Sequence, residues 1–191
     1  MNTGRYPLRN GKHCIELKLN QLKQLFSTHD PSPFRERDLD DDAVDYIVGS
    51  LKELKFDAPV RLVIHIPGEQ IWENTHQETT HAIHNYFNYE EEVVRKKMRS
   101  LLKQGEVFLL IGLIFLFICL YSSYFILSKF DSVFMHILGE GLNIIGWVAM
   151  WKPLEILLYD WRPLNRARAY YQKLSQIEVE LQVRNSSQEY S

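Results

Sequence analysis

The chain has 191 residues, enough for one modest soluble domain with a small membrane portion beside it. Lys and Arg number 22 against 24 Asp and Glu, so the formal net charge of -2 excludes the strongly basic balance of a nucleic-acid binder. The two cysteines lie far apart, Cys14 in a polar segment and Cys119 in an apolar one, which excludes a disulfide framework and makes a reducing compartment the default.

Residues 1–13 hold no apolar stretch of a signal peptide and are expected to be a flexible lead. "CIELKL" then alternates, with Ile15, Leu17 and Leu19 opposite Glu16 and Lys18, predicting an edge strand with one wet face. In "HDPSPFRERDLDDD", Pro31 and Pro33 stiffen the chain toward extended geometry, His29 is placed to pair with Asp30, and Phe34 is either a buried anchor or an exposed contact. Asp38, Asp40 and Asp42 stand at the first three ligand positions of a calcium-binding EF-hand loop. Ala43 then replaces the required glycine, and Gly49 falls where the bidentate glutamate belongs. Helix capping and a solvated acidic face account for the run better. Asp30, Pro31, Pro33, Phe34, Asp38 and Asp40 form a candidate partner-binding loop, because ordered loops often carry function.

Residues 41–55 predict a helix that buries Val44, Ile47, Val48, Leu51 and Leu54, with Asp40 to Asp42 at the positive end of its dipole. "VRLVIHIP" (60–67) is nearly continuous in apolar residues, as a central strand is, and His65 is expected there as a hydrogen-bonded core residue. Strand, crossover helix and strand make a right-handed parallel unit. From about Asn74 a second helix recurs through Ile83, Phe87, Val94, Met98 and Leu101 and continues into an apolar run, Gly105 being its weak point. His76, Glu78, His81 and His84 read as its wet face. His81 and His84 are candidate metal ligands by spacing, but without cysteine or an HExxH pattern no metal or cofactor is expected.

Residues 107–127, "VFLLIGLIFLFICLYSSYFIL", carry no charge. At 1.5 Å per residue such a helix reaches about 31 Å, the depth of a bilayer's hydrocarbon core. Residues 133–151 make a second, less pure span after "SKFDS". Arg95, Lys96, Lys97, Arg99 and Lys103 precede the first span, and Lys152, Arg162, Arg166 and Arg168 follow the second. That distribution predicts both termini on the cytoplasmic side. "RKKMRSLLK" is expected to attract anionic lipid by about 1 kcal/mol per cation. Tyr121, Tyr124, Trp147, Trp151, Tyr159 and Trp161 suit interfacial positions.

Within the second span, His136, Glu140 and Asn143 fall at i, i+4 and i+7, and Trp147 continues their face. Gly139 and Gly146 flank it one heptad apart, and Gly105, Gly112 and Cys119 repeat every seventh residue in the first helix. Such spacing permits close left-handed packing. A fold about Phe130 would set Glu140 level with residues 120–122, where Tyr121, Ser122 or a second chain's stripe would satisfy it. The stripe is read either as polar glue between helices or as part of an ion or proton path. A single hairpin cannot enclose a pore, so conduction needs several copies or a partner.

Pro153 and Pro163 each suit a first helical turn. "PLEILLYDW" is expected as a short interfacial helix and "PLNRARAYYQKLS" as a longer one, whose Leu164, Ala167, Tyr171 and Leu174 pack on the helix leading into span one. "QIEVELQV" alternates as an edge strand rejoining the sheet, and residues 184–191 are expected to fray. The predicted fold is therefore α+β. It consists of a three-stranded cytoplasmic sheet with flanking helices (14–104 and 153–183), joined to a two-helix transmembrane hairpin (105–152). No Walker A loop, dinucleotide fingerprint, nucleophile elbow or cysteine zinc pattern occurs.

"LKQLFSTHDPSPFRERDLDDDA", "LVIHIP" and "EGLNIIGWVAMWKPLEILLYDWRPL" together resemble a group of small bacterial two-span membrane proteins with a DPSPF-containing cytoplasmic segment. The resemblance runs from Ile15 to about Leu181. It implies a bacterial inner-membrane location and carries over no reaction, cofactor or site residue. Three functional expectations follow. The first is a non-enzymatic, membrane-anchored interaction or regulatory protein that self-associates through its spans or binds a membrane-protein partner. The second is a subunit of an ion- or proton-coupled transporter using His136 and Glu140. The third is a membrane enzyme using His81, His84 or the aspartates.

Overall fold

The computed structural model describes residues 5–27, 38–68 and 74–184. The described chain divides into two compact units, Met1–Val93 with Ala167–Ser191, and Val94–Arg166. The division cuts one helix after Val93 and another after Arg166.

The first unit is built on a four-stranded mixed sheet, ordered β1-β2-β3-β4. Its strands are β1 (Leu8–Arg9), β2 (Lys12–Lys18), β3 (Val60–Pro67) and β4 (Glu178–Arg184). β2 and β3 pair in parallel through the crossover helix α1 (Asp41–Glu53), and β3 pairs in parallel with β4. The expected central strand is therefore central. Two expectations need correction. The sheet has four strands rather than three, and β2 is an internal strand rather than an edge.

The additional strand lies within the segment expected to be a flexible lead. Asn10 and Gly11 both take positive φ, 51° and 76°. They join β1 to β2 in a two-residue hairpin whose twist matches the strands it connects. An Asn-Gly pair is the strongest short-range hairpin signal, and here it follows a strand of two residues, too short to show alternation. Arg5 and the buried Tyr6 tie this segment down, each hydrogen-bonding Glu53 at the end of α1.

Alternation decides the two faces of the sheet. Val60, Leu62, Ile64 and Ile66 of β3 join Ile15, Leu17 and Val179 in one buried core. Ala43, Val44, Ile47, Val48 and Leu51 of α1 belong to it, as do Ala82, Ile83 and Phe87 of the long helix α2 (Thr75–Lys129). Leu174 ends α5 (Trp161–Leu174) in the same core. Tyr171 of α5 stacks on Phe87 at 6.2 Å, and Arg168 pairs with Glu91 at 2.5 Å, so α5 packs on α2 as its stripe predicted. The opposite face carries charge: Arg61 bridges Glu178 and Glu180, Lys12 pairs with Glu178, and Arg9 reaches Glu16 at 2.9 Å. His65 lies on this face, 3.6 Å from Glu16, and not in the apolar core where it was expected.

In the second unit α2 runs without interruption through Gly105. After residues 130–132 the chain returns as α3 (Val133–Ala149) and α4 (Trp151–Glu155). The two proline helices expected as separate elements are instead joined by a π-turn, Ile156–Asp160, leading directly into α5. Pro163 explains the widening: it has no N–H for the carbonyl four residues earlier and its ring crowds that carbonyl.

Gly11→Val should lower the melting temperature of the chain by several degrees. Holding a β-branched residue at φ +76° costs about 1–2 kcal/mol. Thermal unfolding followed by circular dichroism measures the shift.

Candidate functional site

Two helices, Thr75–Lys129 and the run Val133–Leu174, are long and apolar enough to cross a membrane. Their apolar side chains face outward to a degree that a soluble core helix does not show: Phe117 is 69 % exposed, Ile137 66 % and Val148 66 %.

The helices meet along a seam of small residues. A Cβ placed on Gly139 would lie 2.9 Å from the Leu127 side chain. One on Gly146 would lie 3.0 Å from both Cys119 and Leu116. Gly112 fits against Met150 at 3.1 Å and Gly105 against Ile156 at 2.8 Å. Cys119, Leu116 and Ser123 are buried along the same line. The four glycines and Cys119 singled out by heptad spacing thus form one interface, with Leu116 and Ser123 added by the structure. Successive contacts match lower α2 residues to higher residues of the returning run, as an antiparallel pair must.

The polar stripe flanks this seam instead of entering it. On a helix, Asn143 lies about 40° round from Gly139, His136 about 60° and Glu140 about 100°. Asn143 is accordingly half-buried, while His136 and Glu140 are exposed. None of the three side chains has a hydrogen-bond or ion-pair partner among the described residues. The expectation that Tyr121 or Ser122 of the same hairpin satisfies Glu140 is not met. The Gly139–Leu127 and Gly146–Cys119 contacts set Glu140 beside residues 125–126, about a turn from the expected level. The fold axis lies past Asp131 because the connection occupies residues 130–132.

Of the candidate partner-binding loop, Asp30, Pro31, Pro33 and Phe34 lie outside the described residues. Its described ends are clamped: Ser27 N–H donates to the Asp38 carbonyl at 2.9 Å and Asp40 N–H to the Leu25 carbonyl at 3.0 Å. Asp40 serves as the cap of α1, its carboxylate accepting from Asp42 N–H at 3.1 Å. Beside it opens a cleft of about 490 Å³, where Asp38, Asp40 and Asp41 meet Tyr86, Tyr89 and Glu90 of α2. Burial, then the charge of Asp38, pushes the Glu90 carboxyl above its ordinary range. Burial and the nearby Glu90 raise the Tyr86 phenol as well. Tyr86, Tyr89 and Glu90 were not legible as cleft residues, because their only sequence signal is helical spacing on a helix whose neighbour was unknown.

His76 and His84 are engaged by backbone carbonyls. His84 Nε2 lies 2.8 Å from the Ile177 carbonyl and His76 Nε2 3.1 Å from that of Val179. A carbonyl only accepts, so each Nε2 carries the proton. Both rings thereby cover the outer edge of β4, where unpaired backbone groups otherwise invite another strand. His81 is exposed, and His84 is already engaged. Among the described residues no group of three or more His, Cys, Asp or Glu is placed to hold a metal ion.

Two predictions separate these roles. Gly146→Leu should weaken the hairpin and lower its thermal stability in detergent, whereas Gly141→Leu, with nothing within 4 Å of its Cβ position, should change it little. The second concerns pH. The folded pKa of Glu90 lies above its unfolded value, so ionising it destabilises the fold at neutral pH, and that penalty disappears as pH falls below the ordinary carboxylate range. Glu90→Gln should therefore raise the melting temperature at pH 8 and converge with the parent near pH 4, approximately the unperturbed carboxylate value.

No family model, curated protein or solved structure matches this chain.

Proposed function

We propose that this chain is a membrane-anchored interaction protein without catalytic activity of its own, embedded in a bacterial inner membrane by the α2–α3 hairpin, with both termini cytoplasmic. The hairpin associates with a second copy through His136, Glu140 and Asn143. The carrying observation is that His136 and Glu140 lie exposed on α3, outside the glycine seam and without a partner among the described residues. In a bilayer an ionised carboxylate facing lipid costs on the order of 3 kcal/mol, so a face built this way is stabilised by meeting another polar face. A second copy supplies one, since a two-fold axis along the membrane normal brings the two stripes face to face, with each histidine one helical turn from the other chain's glutamate. The cationic runs at 95–103 and 162–168 support the orientation. The outward apolar side chains of α2 and α3 support the bilayer setting.

Glu140→Leu should leave membrane insertion intact, as judged by resistance to alkaline extraction, and should shift the protein toward monomer on cross-linking in mild detergent. An unchanged oligomer distribution would remove the stripe from the interface.

A further inference from the structure

The seam places two basic segments, remote in sequence, at one height. Gly105 packs on Ile156 and Leu157, its Cβ position 2.8 Å from the first and 3.2 Å from the second. Six residues before Gly105 is Arg99, and six after Ile156 is Arg162. At 1.5 Å per residue both lie about 9 Å beyond the contact, on the same end of the helix pair. Lys97 and Lys103 flank Arg99 on α2, and Arg166 follows Arg162 by one turn. All five are exposed, and none is in an ion pair among the described residues.

The acids at this end do not neutralise them. Glu155 and Asp160 are both engaged by Lys152, at 3.0 and 3.5 Å. One lysine balances only one of those two carboxylates, so with Glu106 the segments 97–106 and 152–166 hold six cations against three acids and keep a net charge of +3. The π-turn shapes the surface further. Trp161 N–H donates to the Leu157 carbonyl at 3.0 Å, and the Arg162 guanidinium sits 5.6 Å from the Tyr159 ring centre. Tyr159 and Trp151, 60 % and 74 % exposed, border the collar on its apolar side with rings suited to a bilayer interface. The cations from Lys97 to Lys103 span about 9 Å, comparable with the headgroup layer that flanks a hydrocarbon core.

We propose that this collar is a binding surface for anionic phospholipid headgroups, gripping lipid phosphates between α2 and the α5 end of the returning helix. The inference rests on the bilayer reading above. Five exposed cations, in segments with a net charge of +3, and an aromatic border at headgroup depth fit phosphate oxygens, and guanidinium groups engage those oxygens two at a time. A zwitterionic lipid offers the same phosphate with its charge cancelled, so the collar discriminates by net charge.

The test uses the purified full chain in neutral detergent, titrated with phosphatidylglycerol, phosphatidylcholine or inorganic phosphate while thermal stability is followed. Phosphatidylglycerol should stabilise saturably, more at low than at high salt, with phosphatidylcholine and inorganic phosphate far weaker. Arg99→Gln with Arg162→Gln should weaken the apparent affinity for phosphatidylglycerol by about 25-fold, about fivefold per cation. Arg99→Lys with Arg162→Lys, which keeps the charge and removes the paired contacts, should weaken it less than the glutamine pair does, and Lys129→Gln at the opposite end of the hairpin should leave it unchanged. Equal stabilisation by phosphatidylcholine, an equal effect of inorganic phosphate, or an equal loss with Lys129→Gln would each overturn the proposal. Reconstitution into vesicles of phosphatidylcholine alone and of phosphatidylglycerol alone tests the underlying reading separately. Insertion there without lipid preference removes only the collar, and failure to insert in vesicles of either lipid removes the bilayer setting as well.

Discussion

Close backbone approach at four glycines is the constraint on which the second unit depends. Lipid tails are as apolar as leucine, so two helices in a bilayer gain nothing by hiding leucines from each other. They associate through van der Waals contact, which improves as the axes approach. At Gly105 and Gly139 a methyl group would already sit under 3.0 Å from a neighbouring side chain, and at Gly112 and Gly146 it would be at or just beyond that distance. The seam therefore accepts nothing larger. By claiming one face of α3 it also decides what the remaining faces can do. Asn143 is left at the margin, and His136 and Glu140 are turned away.

In the first unit the organising element is β3. From Arg61 to His65 it is paired on both sides, and its two faces meet different chemistry. One face enters the apolar core under α1 and α2. The other carries Arg61 into a row of cross-strand ion pairs with β4. Those pairs are exposed enough that each contributes only a few tenths of a kcal/mol, so their value is in register more than in stability. A one-residue slip of β4 would turn Val179 outward and Glu178 and Glu180 into the core.

Polar groups recur at positions that are incompletely covered. His76 and His84 cover the outer edge of β4, Asp40 covers the first turn of α1, and the Trp161 indole satisfies a carbonyl of the π-turn. Each answers a backbone group that regular structure leaves open. Residues of this kind resemble ligands in sequence, since histidines at helical spacing and runs of aspartate are also what a metal site uses. Only the atom that each meets separates the two readings.

Much of the architecture was legible in the residues themselves. The uncharged run 107–127, the alternation of Glu178 to Val183, the stripe of α1 and the heptads of glycine are periodic signals, and periodicity belongs to a single element read alone. The tertiary structure decided what no single element contains: the pairing of β1, the meeting of Glu90 with Asp38, the covering of β4 by two histidines, and the side of α3 on which Glu140 lies. Each depends on the distance and phase between segments tens of residues apart, and helical or strand spacing carries no information about a partner's register. The exception is instructive. Asn10 and Gly11 announced their hairpin locally, because left-handed backbone is a property of those two residues wherever they are placed.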